Sequence, residues 1–529
     1  MNFRLLWILM VGLFAYLLFW EWSQESAAKA ELVATTRVDE VSSGVDSVDS
    51  SNTSKISNGS LTLVVDNLSG SIIGVELSEY PVLQKEGSPN VRLLGSEGAF
   101  KFYVKSGFGI ESPVFSLKNN NGSSITLVSD DGLYKKVISV KEGYLVDIND
   151  SYLGGNKPGD PFVAMYRTDG KPLDATDSWI DNASYVGVAF NTPDDPYDSY
   201  RLRSIDERLL FDQVGGWVGF IQKYFLTALL VNPNDVVTMF ANPPGVPGGV
   251  YSMGSIVREK TVSEINSGVS HKLFFGPKIR SDLMLIAKDL ELSIDMGWFW
   301  FLAQPLVMLL VVTLNDLINN WGVSILLLTV VVKLLLWPIS AAGFRSMAKM
   351  RVVQPRLQEI QQRYKDDRQK LGVEMMALYK KEKINPAGGC FPMLLQFPVF
   401  IALFFALREI VELRHAPFFF WLQDLSAPDP YFVLPVVMGG LMYLTQQLNP
   451  TPPNMDPMQV QVMKYMPVVF SVFFIFLPSG LVLYSVANAL FSLVQQRMMY
   501  RKYGASSFST PVLVVRSQIG DFCPCNPCR

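Results

Sequence analysis

Trp321-Gly-Val-Ser-Ile-Leu-Leu-Leu-Thr-Val-Val-Val-Lys-Leu-Leu-Leu-Trp337 reads as one hydrophobic run with a single charge, Lys333, set inside it. With its flanks (319–341) it is long enough to cross a bilayer as a helix, which takes about 20 apolar residues. A lysine near the centre of such a span costs roughly 2.5–3.5 kcal/mol, so it normally faces protein or water. Its long stem could instead carry the ammonium to the interface. Thr329, one helical turn earlier on the same face, favours a polar interior surface.

Outward from this run the chain divides by composition. Of its 529 residues, those before about 295 are mostly polar and glycine-rich, and the remainder is dominated by Phe, Leu, Val and Met. The formal net charge of −3 gives no footprint for nucleic acid. Residues 1–22, with Arg4 ahead of Leu5–Trp20, read as an uncleaved anchor whose start is cytoplasmic. Residues 23–58 are Ser/Asp-rich and read as a flexible linker. From Leu61, stretches such as Leu61-Thr-Leu-Val-Val-Asp66 and Ser124-Ile-Thr-Leu-Val-Ser129 alternate apolar and polar residues between Gly, Asn and Asp turns. An exported β-sandwich over 59–280 follows.

That domain offers little for catalysis. The chain has two histidines, His271 and His415, and only the first falls in the exported part. No histidine-pair acid–base site or His-rich metal site can be assembled there, and no carboxylate pair stands out by spacing. The expectation is a non-enzymatic chain with no cofactor, no metal and no small-molecule substrate.

Residues 281–318 contain Gly297-Trp-Phe-Trp-Phe-Leu-Ala-Gln-Pro305, an aromatic stretch broken by proline, and read as a connecting segment with an interfacial helix. The loop 342–389 is rich in Lys and Arg and should be cytoplasmic, so an even number of spans precedes it. Apolar positions at helical spacing predict two amphipathic helices, over Arg351–Arg363 and Glu374–Lys383, folded as a hairpin. Its Arg351, Arg356, Arg363, Lys380 and Lys381 are candidates for contact with a client or partner. Residues 390–500 hold four more hydrophobic segments, two of them joined by the tight turn Pro478-Ser-Gly480. The fold expected is a polytopic α-helical membrane protein of six spans, both termini cytoplasmic, with a large exported all-β domain. Thr329, Lys333, Gln396, Tyr484, Ser485 and Asn488 are expected to converge on a polar cavity within the bilayer. The spans carry no carboxylate pair for a proton relay, which argues against an ion-coupled small-molecule transporter, the main alternative. A membrane-anchored glycan-binding protein is a further one.

Phe344-Arg-Ser-Met-Ala-Lys-Met-Arg351, Glu374-Met-Met-Ala-Leu-Tyr379, Asn385-Pro-Ala-Gly-Gly-Cys-Phe-Pro392 and Phe476-Leu-Pro-Ser-Gly-Leu-Val-Leu-Tyr484 resemble the bacterial YidC family of membrane protein insertases. Gly215-Gly-Trp-Val-Gly-Phe-Ile-Gln-Lys-Tyr224 and Phe274-Phe-Gly-Pro277 are similar to its periplasmic domain, in the Gram-negative form. The resemblance implies an inner-membrane insertase or chaperone that receives nascent membrane protein clients, alone or with the Sec translocon, the ribosome and signal-recognition machinery. It implies a β-supersandwich outside the membrane. It also implies a lipid-open groove with Lys333 as its cation, where the family often has arginine, and with Thr329 and Tyr484 in contact with clients. The tail, 501–529, departs from the family's basic ending with Cys523-Pro-Cys-Asn-Pro-Cys528 and reads as disordered; three cysteines fall short of a four-ligand zinc site.

Overall fold

The computed structural model describes residues 52–504, except 98–99, 110–112, 155–158, 169–186, 247–248, 259, 261, 298, 366, 383, 386–390, 450–461, 463–464 and 468. The anchor expected at 1–22, all but the end of the linker, and the tail beyond residue 504 lie outside the described residues.

Two nine-stranded antiparallel sheets build the first half. One runs from Thr53–Ser57 at its edge to Leu209–Val214, with Pro161–Thr168 paired between Phe100–Phe108 and Val250–Val257 at its centre. The other runs from Asp198–Arg201 to Phe115–Asn120, with Val269–Pro277 between Phe225–Leu230 and Leu145–Tyr152. Alternation places one face of each strand inward, and Leu61, Leu63 and Val65 are fully buried while their neighbours are half-buried. Phe102 of one sheet meets Phe220 of the other edge-on, ring centroids 5.0 Å apart. At Gly254 the Pro161–Thr168 strand passes so close that an added Cβ would stand 1.9 Å from the Val163 carbonyl oxygen.

The linker expected to extend to residue 58 ends earlier. Thr53–Ser57 is already a strand, in register with Leu61–Asp66, and its Ile56 is 2% exposed. A single buried isoleucine among polar neighbours is enough to fix an edge strand, but it makes no visible alternation.

Trp217–Ile221 and Phe225–Leu230 are buried on both faces. Their outward residues Trp217, Ile221, Leu226, Ala228 and Leu230, with Phe274 of the neighbouring strand, pack with Leu283, Leu290, Ile294 and Met296 and continue into the helical half as one apolar cluster. Val411, in the turn after helix 391–409, is in return part of the cluster inside the sandwich.

Six helices frame the second half of the chain: α1 (Trp321–Leu335), α2 (Trp337–Arg363), α3 (Arg368–Lys381), α4 (Phe391–Glu409), α5 (Val433–Leu448) and α6 (Ser479–Gly504). The run read as one span over 319–341 is broken at Leu336, where α1 and α2 meet at 68°. Pro338 explains the break: without an N–H it cannot continue α1, yet it suits the first turn of a new helix. Among the described residues no single helix is long and apolar enough to cross a membrane, and only this bent pair reaches that length together.

The hairpin differs in extent from the reading above. Its first arm begins at Trp337, not Arg351, because Ala341, Ala342, Met347 and Ala348 favour helix. Its second begins at Arg368, not Glu374, because Asp367 caps it by accepting from the Lys370 N–H at 3.0 Å. Val353, Leu357, Tyr379 and Ile384 form the small core between the arms. In the connecting segment Pro305 sits inside the helix Trp300–Met308 instead of ending it, and the chain widens into a π-helical turn over Leu309–Asn315.

The loop between α4 and α5 is organised by a buried carboxylate. Asp429, 1% exposed, accepts from the Trp421 indole (3.0 Å), the Tyr431 N–H (3.1 Å) and the Leu434 N–H (2.7 Å), the last at the start of α5. The start of α6 is bound to the same loop, the Ser479 N–H donating to the Ala427 carbonyl and the Gly480 N–H to Leu425.

Candidate functional site

The candidate site is built where α1 lies against α6. Lys333 donates to the Ser492 hydroxyl at 2.8 Å, and that hydroxyl donates to the Asn488 carbonyl at 2.8 Å. Tyr484, Asn488, Ser492 and Gln495 recur at intervals of four, four and three, which puts them on one stripe of α6. Gln495 donates to the Trp337 carbonyl at 3.4 Å, so the lower end of the stripe meets the bend between α1 and α2. Among the described residues no carboxylate pairs with Lys333. The stripe therefore holds a half-buried cation whose partner among the described residues is the Ser492 hydroxyl, itself anchored on the Asn488 carbonyl.

The six residues anticipated for this site divide into three kinds. Gln396 of α4 donates to the Tyr484 hydroxyl, a side-chain bridge between α4 and α6. Thr329, wholly buried, donates to the Ile325 carbonyl at 2.8 Å, and Ser485 donates to the Leu481 carbonyl at 2.8 Å. These two hydroxyls are satisfied within their own helices and, among the described residues, make no cross-helix bond. Asn488 is half-buried and enters through its backbone carbonyl. Ser492 had not been anticipated. It lies four residues after Asn488 and eight after Tyr484 on the same face, a spacing that by itself names no partner.

On the hairpin, Arg351 lies over the Tyr500 ring at 5.6 Å, which ties α2 to the end of α6. Arg356 forms an ion pair with Glu382 at 2.9 Å across the two arms. All five cations are exposed; Arg351 and Arg356 also make the contacts just described, within and beyond the hairpin.

The sandwich contains its own buried polar group. His271, 4% exposed, has no partner for Nε2 among the described residues and lines a cavity of about 10 Å³ with Asn232, Asp235, Ser255 and Ser270. Burial pushes its pKa down to about 4, which leaves it neutral at ordinary pH. Among the described residues no group of three or more His, Cys, Asp and Glu could hold a metal ion.

Residues 53–309 match the family model described as YidC periplasmic domain, and residues 313–506 match that described as 60Kd inner membrane protein. The membrane protein insertase YidC of Mannheimia succiniciproducens is 36% identical over 501 residues, covering 91% of this chain and 91% of that protein. That of Hahella chejuensis is 36% identical over 558 residues, covering 93% and 96%. Among solved structures, an active YidC insertase with its first transmembrane domain resolved aligns with a TM-score of 0.38 at 19% identity, covering 84% of this chain and 92% of that one.

Proposed function

The chain belongs to the YidC family of membrane protein insertases, and from that premise we propose that it moves client helices into the inner membrane along the polar stripe between α1 and α6. The observation that carries the reading is Lys333: a cation on an apolar helix, bonded to Ser492 and facing no carboxylate among the described residues. An acidic side chain in a client's hydrophilic tail can displace the hydroxyl and take over that ammonium. The ammonium offers such a carboxylate a point charge, not the two-pronged contact of a guanidinium.

The set proposed to meet clients is Lys333, Thr329, Gln396, Tyr484, Ser485 and Asn488, of which Thr329, Tyr484 and Ser485 are buried here and would meet a client only once the helices around them part. Polar groups here shorten the hydrocarbon path that a hydrophilic tail must cross, which lowers its desolvation cost. The client's own apolar helix then leaves for lipid, gaining about 25 cal/mol for each Å² of apolar surface removed from water. No covalent step and no cofactor enters this sequence of events. The exposed Arg363, Lys380 and Lys381 receive clients or partner machinery at the hairpin. Sec translocon, ribosome and signal-recognition partners follow from the family resemblance alone.

The membrane arrangement belongs to the same proposal: an anchor, a second span over 319–341 that runs through the bend between α1 and α2, four further spans, both termini cytoplasmic and the β domain periplasmic. Trp300 and Phe301, both exposed, suit the headgroup region and support an interfacial place for the connecting helix. The test is photocrosslinking in cells from positions 329, 333 and 484 to a nascent single-span protein, with Lys333→Glu beside it. Crosslinks that form during insertion and disappear after integration support the stripe as the path. Their absence from all three positions, with insertion unchanged on depletion, rejects it.

A further inference from the structure

The β domain and the helical half meet around one buried ion pair. Lys278 follows directly on the strand Val269–Pro277, and its side chain is 1% exposed. Glu409 is the last residue of α4 and its side chain is 8% exposed. Lys278 Nζ lies 3.2 Å from Glu409 Oε2 and also donates to the Ser293 carbonyl at 3.3 Å. Arg408 adds a second contact to the other Glu409 oxygen at 3.5 Å. Around this pair Arg414 donates to the Val82 carbonyl at 3.1 Å, and Gln84 donates to the Gln423 carbonyl at 2.9 Å.

An ion pair without water is a poor source of net stability, since desolvation offsets its attraction. What it does supply is direction: a fixed distance and angle that apolar packing alone leaves free to slide. The apolar cluster that runs from Trp217 and Phe274 into the helices makes a broad contact, and the ion pair sets its register at one point. That point is the end of α4. Gln396, the α4 residue bonded to Tyr484, lies thirteen positions back along the same helix, about 20 Å.

We infer that Lys278 and Glu409 are positioning residues, through which the β domain fixes the outer end of α4 and so holds Gln396 against Tyr484. The inference rests on the insertase reading for its functional consequence, while its geometric content stands apart from that reading.

The experiment uses the full chain in proteoliposomes, with its native cysteines replaced and spin labels at exposed positions 397 on α4 and 490 on α6. Three variants are compared: Lys278→Arg, Lys278→Met, and Lys278→Met combined with Glu409→Met. The double variant removes both charges of the pair, so neither member is left buried and unpaired, although Arg408, with its side chain 15% exposed, loses its contact to Glu409. We expect its β domain to resist protease as the parent does, while the label distance shifts or broadens by about 2 Å. Insertion of a single-span client should fall roughly twofold to thirtyfold, the range given by substitutions that alter coupling between sites. Lys278→Arg should restore both readouts. A double variant with the parental distance distribution and insertion rate overturns the inference. So does one whose β domain becomes protease-sensitive, because the pair is then a matter of folding alone. Lys333→Glu is measured in parallel. If it inserts clients at the parental rate, the groove reading fails, and the label distances still decide whether the pair positions α4.

Discussion

Lys333 owes its place to two neighbours with different jobs. Ser492 satisfies one of its three donors, and the absence of a carboxylate among the described residues leaves its charge available. Exchanging the charge should therefore matter more than trimming the hydroxyl. Lys333→Glu should lower insertion of a client with an acidic tail about tenfold, equivalent to about 1.4 kcal/mol, and Lys333→Arg should retain it. Ser492→Ala should change the rate by less than Lys333→Glu does. Quantifying inserted client by protease protection checks all three. The lysine was visible in the sequence because one charge stands out in a run of aliphatic residues. Ser492 was not, because a serine in a helix that already holds Ser485, Asn488, Gln495 and Gln496 signals nothing without its partner. The ion pair of Lys278 and Glu409 was invisible for another reason: its members are ordinary surface types in sequence, 131 positions apart, and only the docking of a strand end on a helix end buries them.

At the scale of elements, the period of apolar residues predicted sheets and helices well, and the misjudged boundaries were those set by single residues. Pro338 divides the expected second span, Asp367 starts α3 early, and Ile56 draws the linker's end into a strand. Asp429 belongs with them. A carboxylate in a loop reads as solvent-exposed, yet this one caps α5 and holds the Trp421 indole. Asp429→Ala leaves three donors without their acceptor and should cost on the order of 3 kcal/mol, seen as a lower thermal midpoint in detergent. Gly254→Ala should be more damaging to the sandwich, since the atom it would strike is backbone and cannot rotate away. Loss of protease resistance confined to the β domain would register it.

Across the whole molecule, from Asn52 onward, strands and helices pack as one unit, and acid should loosen it from within the sandwich. His271 is surrounded by the charges of Asp150, Lys136, Asp235 and Lys260, and burial lowers its pKa from 6.5 to about 4. The unfolded chain therefore binds the proton first. Stability is complete above about pH 6.5 and falls until about pH 4, by roughly 3 kcal/mol at most. Chemical denaturation of the full chain between pH 7 and pH 4 should show this slope, and His271→Gln should flatten it. The sequence had marked His271 only as too solitary for catalysis; its burial depends on pairing between Val269–Pro277 and Leu145–Tyr152, which no local pattern records.

The bend at Leu336 also makes α2 a lever. As a helix of 27 residues it extends about 40 Å from its fulcrum, so a tilt of ten degrees sweeps its tip through roughly 7 Å. The fulcrum is the Trp337 carbonyl held by Gln495, on the stripe that carries Ser492. Because Arg351 also rests on the Tyr500 ring, α2 follows α6 as far as that contact, and any tilt of the pair would be read out as displacement at Arg363, where the hairpin turns back on itself.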